Sequence, residues 1–107
     1  MSIGVDSNQN YMGYIEPGKS FGLTSMIKHV DVAVYLTIKL VVEGTFTGGI
    51  EVFGLDTDVI IGGTLYYGVD YALDEYNEDS VTTEMIDEVE KAREKIRNGE
   101  IIVPEVL

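Results

Sequence analysis

The chain contains no cysteine, a single histidine and only seven lysines and arginines, set against nineteen aspartates and glutamates, among its 107 residues. Without cysteine, disulfides, thiolate nucleophiles and cysteine-ligated metals are excluded. The resulting net charge of −12 argues against nucleic acid as a partner, because phosphate binding needs a basic surface. An anionic membrane surface is disfavoured for the same reason. No segment approaches the ~18 apolar residues of a membrane helix. The N-terminus has no basic region followed by an apolar run, so no signal peptide is expected here. A hydrophobic content of 45% fits a globular chain, and the length suits one small domain over residues 1–107.

Two short stretches carry most of the information. Ile3-Gly4-Val5-Asp6-Ser7-Asn8-Gln9 reads as a short buried strand, Ser2 to Val5, ending at an aspartate. Leu23 to Ile27 suits a second strand, followed by Lys28, His29 and a helix over about Val30 to Val42. In that helix Val30, Ala33, Val34, Thr37, Ile38 and Val41 recur at helical spacing, and Val32, Leu36 and Leu40 make a second apolar row. A helix apolar over most of its circumference is expected to be covered on most sides, by a sheet and another layer. Gly44 suits the left-handed position past its end.

The rest reads more plainly. Asn8 to Ser20 is a loop, with a turn at Pro17-Gly18. Ile50 to Leu55 and Val59 to Ile61 are expected strands, and Thr64 to Leu73 an extended stretch. Thr82 or Thr83 caps a final helix, acidic early and basic late, with one apolar stripe through Met85, Ile86, Val89, Ala92 and Ile96. Gly99 ends it, and Ile101 to Val103 is a last expected strand.

Asp6 and Lys28 are the candidate binding residues. A carboxylate only accepts hydrogen bonds and an ammonium only donates them. Converging on one cleft, such a pair suits a sugar with neighbouring hydroxyls: the carboxylate accepts from both, and the ammonium donates to the same oxygens. On spacing alone the plainer reading is favoured, a strand-ending aspartate and a solvated lysine. His29 reads as a surface residue. Asp70, Asp74, Glu75, Glu78 and Asp79 lack the spacing of a calcium loop and read as a solvated acidic loop. The glycines form no phosphate-binding fingerprint. Tyr66, Tyr67, Tyr71 and Tyr76 read as strand packing. No arrangement of nucleophile, base and acid supports an enzyme, and neither a metal nor a cofactor is implied.

These stretches resemble the basic-membrane-protein class of nucleoside-binding lipoproteins, the substrate receptors of certain ABC importers. The likeness extends through Glu43-Gly44-Thr45-Phe46-Thr47-Gly48-Gly49, Phe53-Gly54-Leu55 and Glu84 to Pro104. It covers nearly the whole chain but only the C-terminal part of that family. It implies an α/β fold, the C-terminal portion of a type I periplasmic-binding fold, with a mixed or parallel sheet and two main helices. It implies a non-enzymatic receptor for a purine nucleoside working with an ABC permease, extracytoplasmic and lipid-anchored. Asp6 and Lys28 match the family's aspartate and lysine that hold the ribose hydroxyls. The family often has a second acidic residue where Asn8 stands, and its base-stacking aromatics belong to sequence not matched here. Asp6 and Lys28 alone are therefore expected to bind a nucleoside weakly or not at all. If elements that normally face another part of the fold are uncovered, the apolar helix favours a homodimer or higher oligomer. The alternative to a receptor is an oligomeric interaction module that has lost ligand binding.

Overall fold

Ser2–Asp6 (β1) and Gly22–Lys28 (β4) run side by side as parallel strands, paired from Ile3 against Thr24 to Asp6 against Ile27 in the computed structural model, which describes residues 1–104. Val69–Tyr71 (β7) adds to the far end of β4 in the antiparallel sense, with Met26 opposite Tyr71 and Lys28 opposite Val69. The central sheet is thus mixed, ordered β1-β4-β7. Two hairpins flank it, Tyr14–Glu16 (β2) with Lys19–Ser20 (β3), and Asp58–Ile61 (β5) with Thr64–Tyr67 (β6). A single 3₁₀ turn, Asn10–Gly13, precedes β2. The helices are Val30–Val42 (α1) and Thr83–Arg97 (α2).

The expected α1 is realised over the predicted span, and Gly44 takes the left-handed conformation beyond it (φ 74°). The Thr82 hydroxyl accepts from the Met85 amide, capping α2 as its sequence requires. β1 forms as expected but is not buried, since Ile3 and Val5 are each at least half exposed. Three expected elements also differ. Ile50 to Leu55 forms no ladder and runs as irregular chain. Ile101 to Val103 is likewise unpaired and exposed. The loop expected over Asn8 to Ser20 holds the β2–β3 hairpin, turning at Pro17-Gly18. In the two failed strands, apolar composition favours extension, but no free ladder lies alongside to take up the backbone groups.

Few apolar side chains hold the sheet. Among the described residues only Val32 and Ala72 are buried hydrophobics, whereas Asn10, Ser20, Ser25 and Asn77 are buried polar groups. These four organise the strand connections. The Ser25 hydroxyl donates to Asn10 Oδ1 at 2.8 Å and accepts from the Gln9 amide at 3.0 Å. The Ser20 hydroxyl donates to the Asn10 carbonyl at 2.7 Å. The Asn77 side-chain amide donates to the carbonyls of Leu23 and Ala72 at 2.9 and 3.0 Å. No buried side-chain polar atom among the described residues lacks a partner, the condition under which such a network fixes geometry rather than costing stability. Gly4 makes room for it: a Cβ there would stand 2.5 Å from Ser25 Oγ and 2.9 Å from Gln9 Oε1.

The apolar rows of α1 are not covered as expected. Val34, Ile38 and Val41 are each more than half exposed. The radius of gyration is 16.0 Å, against about 13 Å for a compact chain of this length. An apolar helix face and an open shape have the same cause: this stretch of chain supplies too few layers to enclose its own helix.

α2 is seated by charge and aromatic faces more than by its apolar stripe. Arg93 pairs with Asp70 and lies 4.6 Å from the centre of the Tyr67 ring and 5.3 Å from that of Tyr71. Arg97 reaches Asp58 at 3.2 Å. The Tyr71 hydroxyl donates to Glu90 at 2.6 Å. Burial and that bond to a carboxylate push its ionisation up to about 12. Asp70 is therefore an ion-pair partner rather than part of a solvated loop, and two of the four tyrosines support arginine.

Candidate functional site: the carboxyl ends of two parallel strands

Asp6 is the last residue of β1 and Lys28 the last of β4, so the parallel register delivers both to the same edge of the sheet. The Lys28 ammonium lies 2.8 Å from Asp6 Oδ1. Sequence spacing alone could not place them together; the parallel ladder does. In open α/β sheets, ligands bind outside the carboxyl ends of the strands, and the pair lies at such an edge.

The local backbone is unusual. Asp6 has φ 77° and stands alone among the described non-glycine residues in the left-handed region. Such a conformation costs on the order of 1 kcal/mol or more and persists where surroundings impose it. Here Gln9 imposes it, since its side-chain oxygen accepts from the Val5 amide at 3.3 Å and its amide donates to Ser25. The chain turns sharply at Asp6 and closes back on β1.

The ion pair does not explain this strain. The Lys28 and Asp6 side chains are 57% and 67% exposed, and exposed pairs contribute about 0–1 kcal/mol. Lys28 also lies two positions ahead of α1, where a cation opposes the helix dipole by a further ~0.3–1 kcal/mol. Stability therefore does not favour this arrangement. What it does create is an acceptor-only group and a donor-only group side by side, open to solvent, at the mouth of a helix.

His29 occupies the N-cap of α1 and is not a plain surface residue. Its side chain is only 17% exposed, stacks edge-on against Tyr66 and lies 3.2 Å from Asp31. Its backbone amide donates to the Gly68 carbonyl at 2.9 Å, which fixes the start of α1 next to Lys28.

Sequence reading missed the support of the turn after Asp6. Asn8 and Asn10 both donate side-chain amides to the Asp74 carboxylate, and the Asp74 carboxylate also accepts from the Tyr76 amide. Burial alone would push the Asp74 carboxyl up, but hydrogen bonds from Asn8, the Tyr76 amide and Asn10 together hold it below the ordinary carboxylate value. Asp74 is thus a structural anchor and not a solvated loop residue. The amide-rich run Asn8-Gln9-Asn10 was the available signal, because such side chains hydrogen-bond nearby backbone and favour turns.

The mixed sheet, its two helices and the polar groups at its strand ends make this an α/β chain, the class to which the periplasmic-binding fold belongs. The comparisons with known proteins agree. Residues 1–106 match the Bmp family, described as ABC transporter substrate-binding protein PnrA-like, and the chain belongs to that family. It is 34% identical over 108 residues to the CD4+ T-cell-stimulating antigen of Listeria monocytogenes serovar 1/2a (strain ATCC BAA-679 / EGD-e), a match covering 96% of this chain and 27% of that protein. The antigen of the same name from Listeria innocua serovar 6a (strain ATCC BAA-680 / CLIP 11262) is similar to the same degree. The chain therefore spans about a quarter of the length of these curated relatives. No helix among the described residues is long and apolar enough to cross a membrane.

Proposed function

We propose that this chain forms the C-terminal part of a receptor for a purine nucleoside or a related ribose-bearing solute, acting by reversible binding and performing no chemistry. Asp6 accepts from the two ribose hydroxyls and Lys28 donates to their oxygens. The observation that carries this reading is the parallel register of β1 and β4, which brings the Asp6 carboxylate and the Lys28 ammonium together, open to solvent, at the carboxyl ends of two strands. A carboxylate and an ammonium 2.8 Å apart are spaced to bridge two adjacent hydroxyls with charge-assisted hydrogen bonds. Family membership supports the receptor role. The order of its matching stretches supports assignment to the C-terminal part, and with it an extracytoplasmic, lipid-anchored whole that delivers its solute to an ABC permease. Base stacking comes from elsewhere in such a receptor, so this stretch contributes the sugar clamp. Calorimetry with inosine tests the reading on a receptor that carries this stretch together with its remaining lobe. Asp6→Ala should weaken binding by a factor of ten or more, and an unchanged affinity would refute the clamp.

The uncovered α1 face supports a second property. Val34, Ile38 and Val41 present an apolar row to solvent, and faces of that kind drive association. By itself the chain forms a homodimer or higher oligomer through α1. That surface is also what the alternative reading, an oligomeric interaction module without a ligand, requires. Sedimentation separates neither reading from the other, but a compact monomer at all concentrations would remove the oligomer from both.

A further inference from the structure

A recess separate from the Asp6–Lys28 pair lies beside the β2–β3 hairpin. It is an open cleft of about 670 Å³ between the β2–β3 hairpin and the segment after β7. Three tyrosines line it, Tyr11, Tyr14 and Tyr76, with Glu75 and Glu78 along the same wall. Neither Asp6 nor Lys28 is among its lining residues.

The walls are tied together by main-chain bonds. The Gly18 amide donates to the Glu75 carbonyl at 3.1 Å, and the Asp79 amide donates to the Gly18 carbonyl at 3.2 Å. Gly18 is left-handed (φ 79°), and a Cβ there would strike the Asp79 side chain. Tyr14 and Tyr76 meet edge to face at 6.1 Å across the cleft. The recess is thus preformed and does not need ordering by an occupant.

Its chemistry is one-sided. Tyrosine faces attract cations, and two carboxylates stand beside them. Neither Glu75 nor Glu78 is in an ion pair among the described residues, whereas Glu16, Glu88 and Glu90 each are. Lys19, the cation of the adjacent hairpin, is held by Glu16 at 2.6 Å. Tyr11 and Tyr14 are both more than half exposed. Small-molecule pockets bury most of their ligand, so an open recess of this kind suits a side chain presented by another protein.

We propose that this cleft docks an arginine-bearing segment of a partner protein. The guanidinium stacks on the tyrosine rings while Glu75 and Glu78 accept its hydrogen bonds. The inference is independent of what Asp6 and Lys28 bind.

The test is an NMR titration of the chain with a short glycine-serine peptide carrying two arginines, with the same peptide carrying citrulline, and with free arginine amide. Citrulline keeps the shape and removes the charge. The arginine peptide should shift the Tyr11, Tyr14 and Tyr76 rings in a saturable way, the citrulline peptide should not, and arginine amide should bind more weakly than the peptide. Glu75→Gln with Glu78→Gln, both exposed, should weaken the peptide roughly five- to tenfold and leave the far-ultraviolet spectrum unchanged. Tyr76→Leu gives a second readout that keeps the carboxylates and should also weaken the peptide. Equal shifts with citrulline, arginine amide binding as tightly as the peptide, shifts spread evenly over the acidic surface of α2, or no saturation at millimolar peptide would each overturn the proposal.

Discussion

The Asn8 side-chain amide donates to the Asp74 carboxylate across 66 positions of the chain, tying the turn after β1 to the segment after β7. This bond requires an amide at position 8: an acid there would bring a second carboxylate against Asp74. Asn8→Asp should destabilise the chain by roughly 1–2 kcal/mol at neutral pH. Urea unfolding measures it, and the loss should shrink as pH is lowered and one of the two carboxylates takes a proton.

Asp74 also sets an acid limit. Its folded carboxyl is held below the ordinary 3.8, so the unfolded chain takes up its proton first as pH falls. The stabilisation is present above about pH 4 and is lost as pH drops through the lower folded value. Unfolding midpoints from pH 6 to pH 2 should fall for the parent chain. The slope should be shallower in Asp74→Asn.

Tyr71 behaves in the opposite sense. Its folded ionisation is pushed from 10 to about 12, so its contribution is complete below pH 10 and disappears as pH rises towards 12. Ultraviolet titration should show a late-ionising phenol that Tyr71→Phe removes. Glu90→Gln should bring it earlier by removing the adjacent negative charge.

Much of this fold was legible in the chain. Repeating apolar positions set α1 from Val30 to Val42, and Thr82 with Gly99 bracketed α2. The residues Asp6 and Lys28 were visible as chemistry but not as neighbours, because only a parallel register aligns their strand ends. Ile50 to Leu55 misled because β propensity reflects a pleated, half-buried environment, and no strand lies there to supply one. The sparse core was hidden for a related reason. Periodicity marks which face wants covering and not whether anything covers it, so α1 looked enclosed and is not. The Asn10–Ser25 and Asn77–Leu23 bonds were hidden because their partners lie 15 and 54 positions apart along the chain.

The α1 surface gives a direct prediction. Placing aspartates on the exposed row, as Val34→Asp with Ile38→Asp, should convert an associating chain into a monomer. Helix content should stay constant, because neither residue is buried. Analytical ultracentrifugation over a hundredfold range of concentration reads the outcome.

Asp6→Gly separates stability from binding. Glycine adopts a left-handed backbone without strain, and the lost ion pair is weak, so stability should stay level or rise by up to ~1 kcal/mol. Denaturation would show this even though the proposed clamp carboxylate is gone. A loss of several kcal/mol would mean that Asp6 is a structural residue.

The sugar clamp itself is tested most directly by comparing inosine with 2′,3′-dideoxyinosine, which differ only in the two hydroxyls. Amide spectra of the chain at millimolar nucleoside report on Asp6, Ser7, Lys28 and His29. The account predicts shifts at these positions with inosine, however weak, and none with the dideoxy compound. Inosine shifts that avoid both strand ends, or equal affinities for the two compounds in a receptor that carries this stretch together with its remaining lobe, would contradict it.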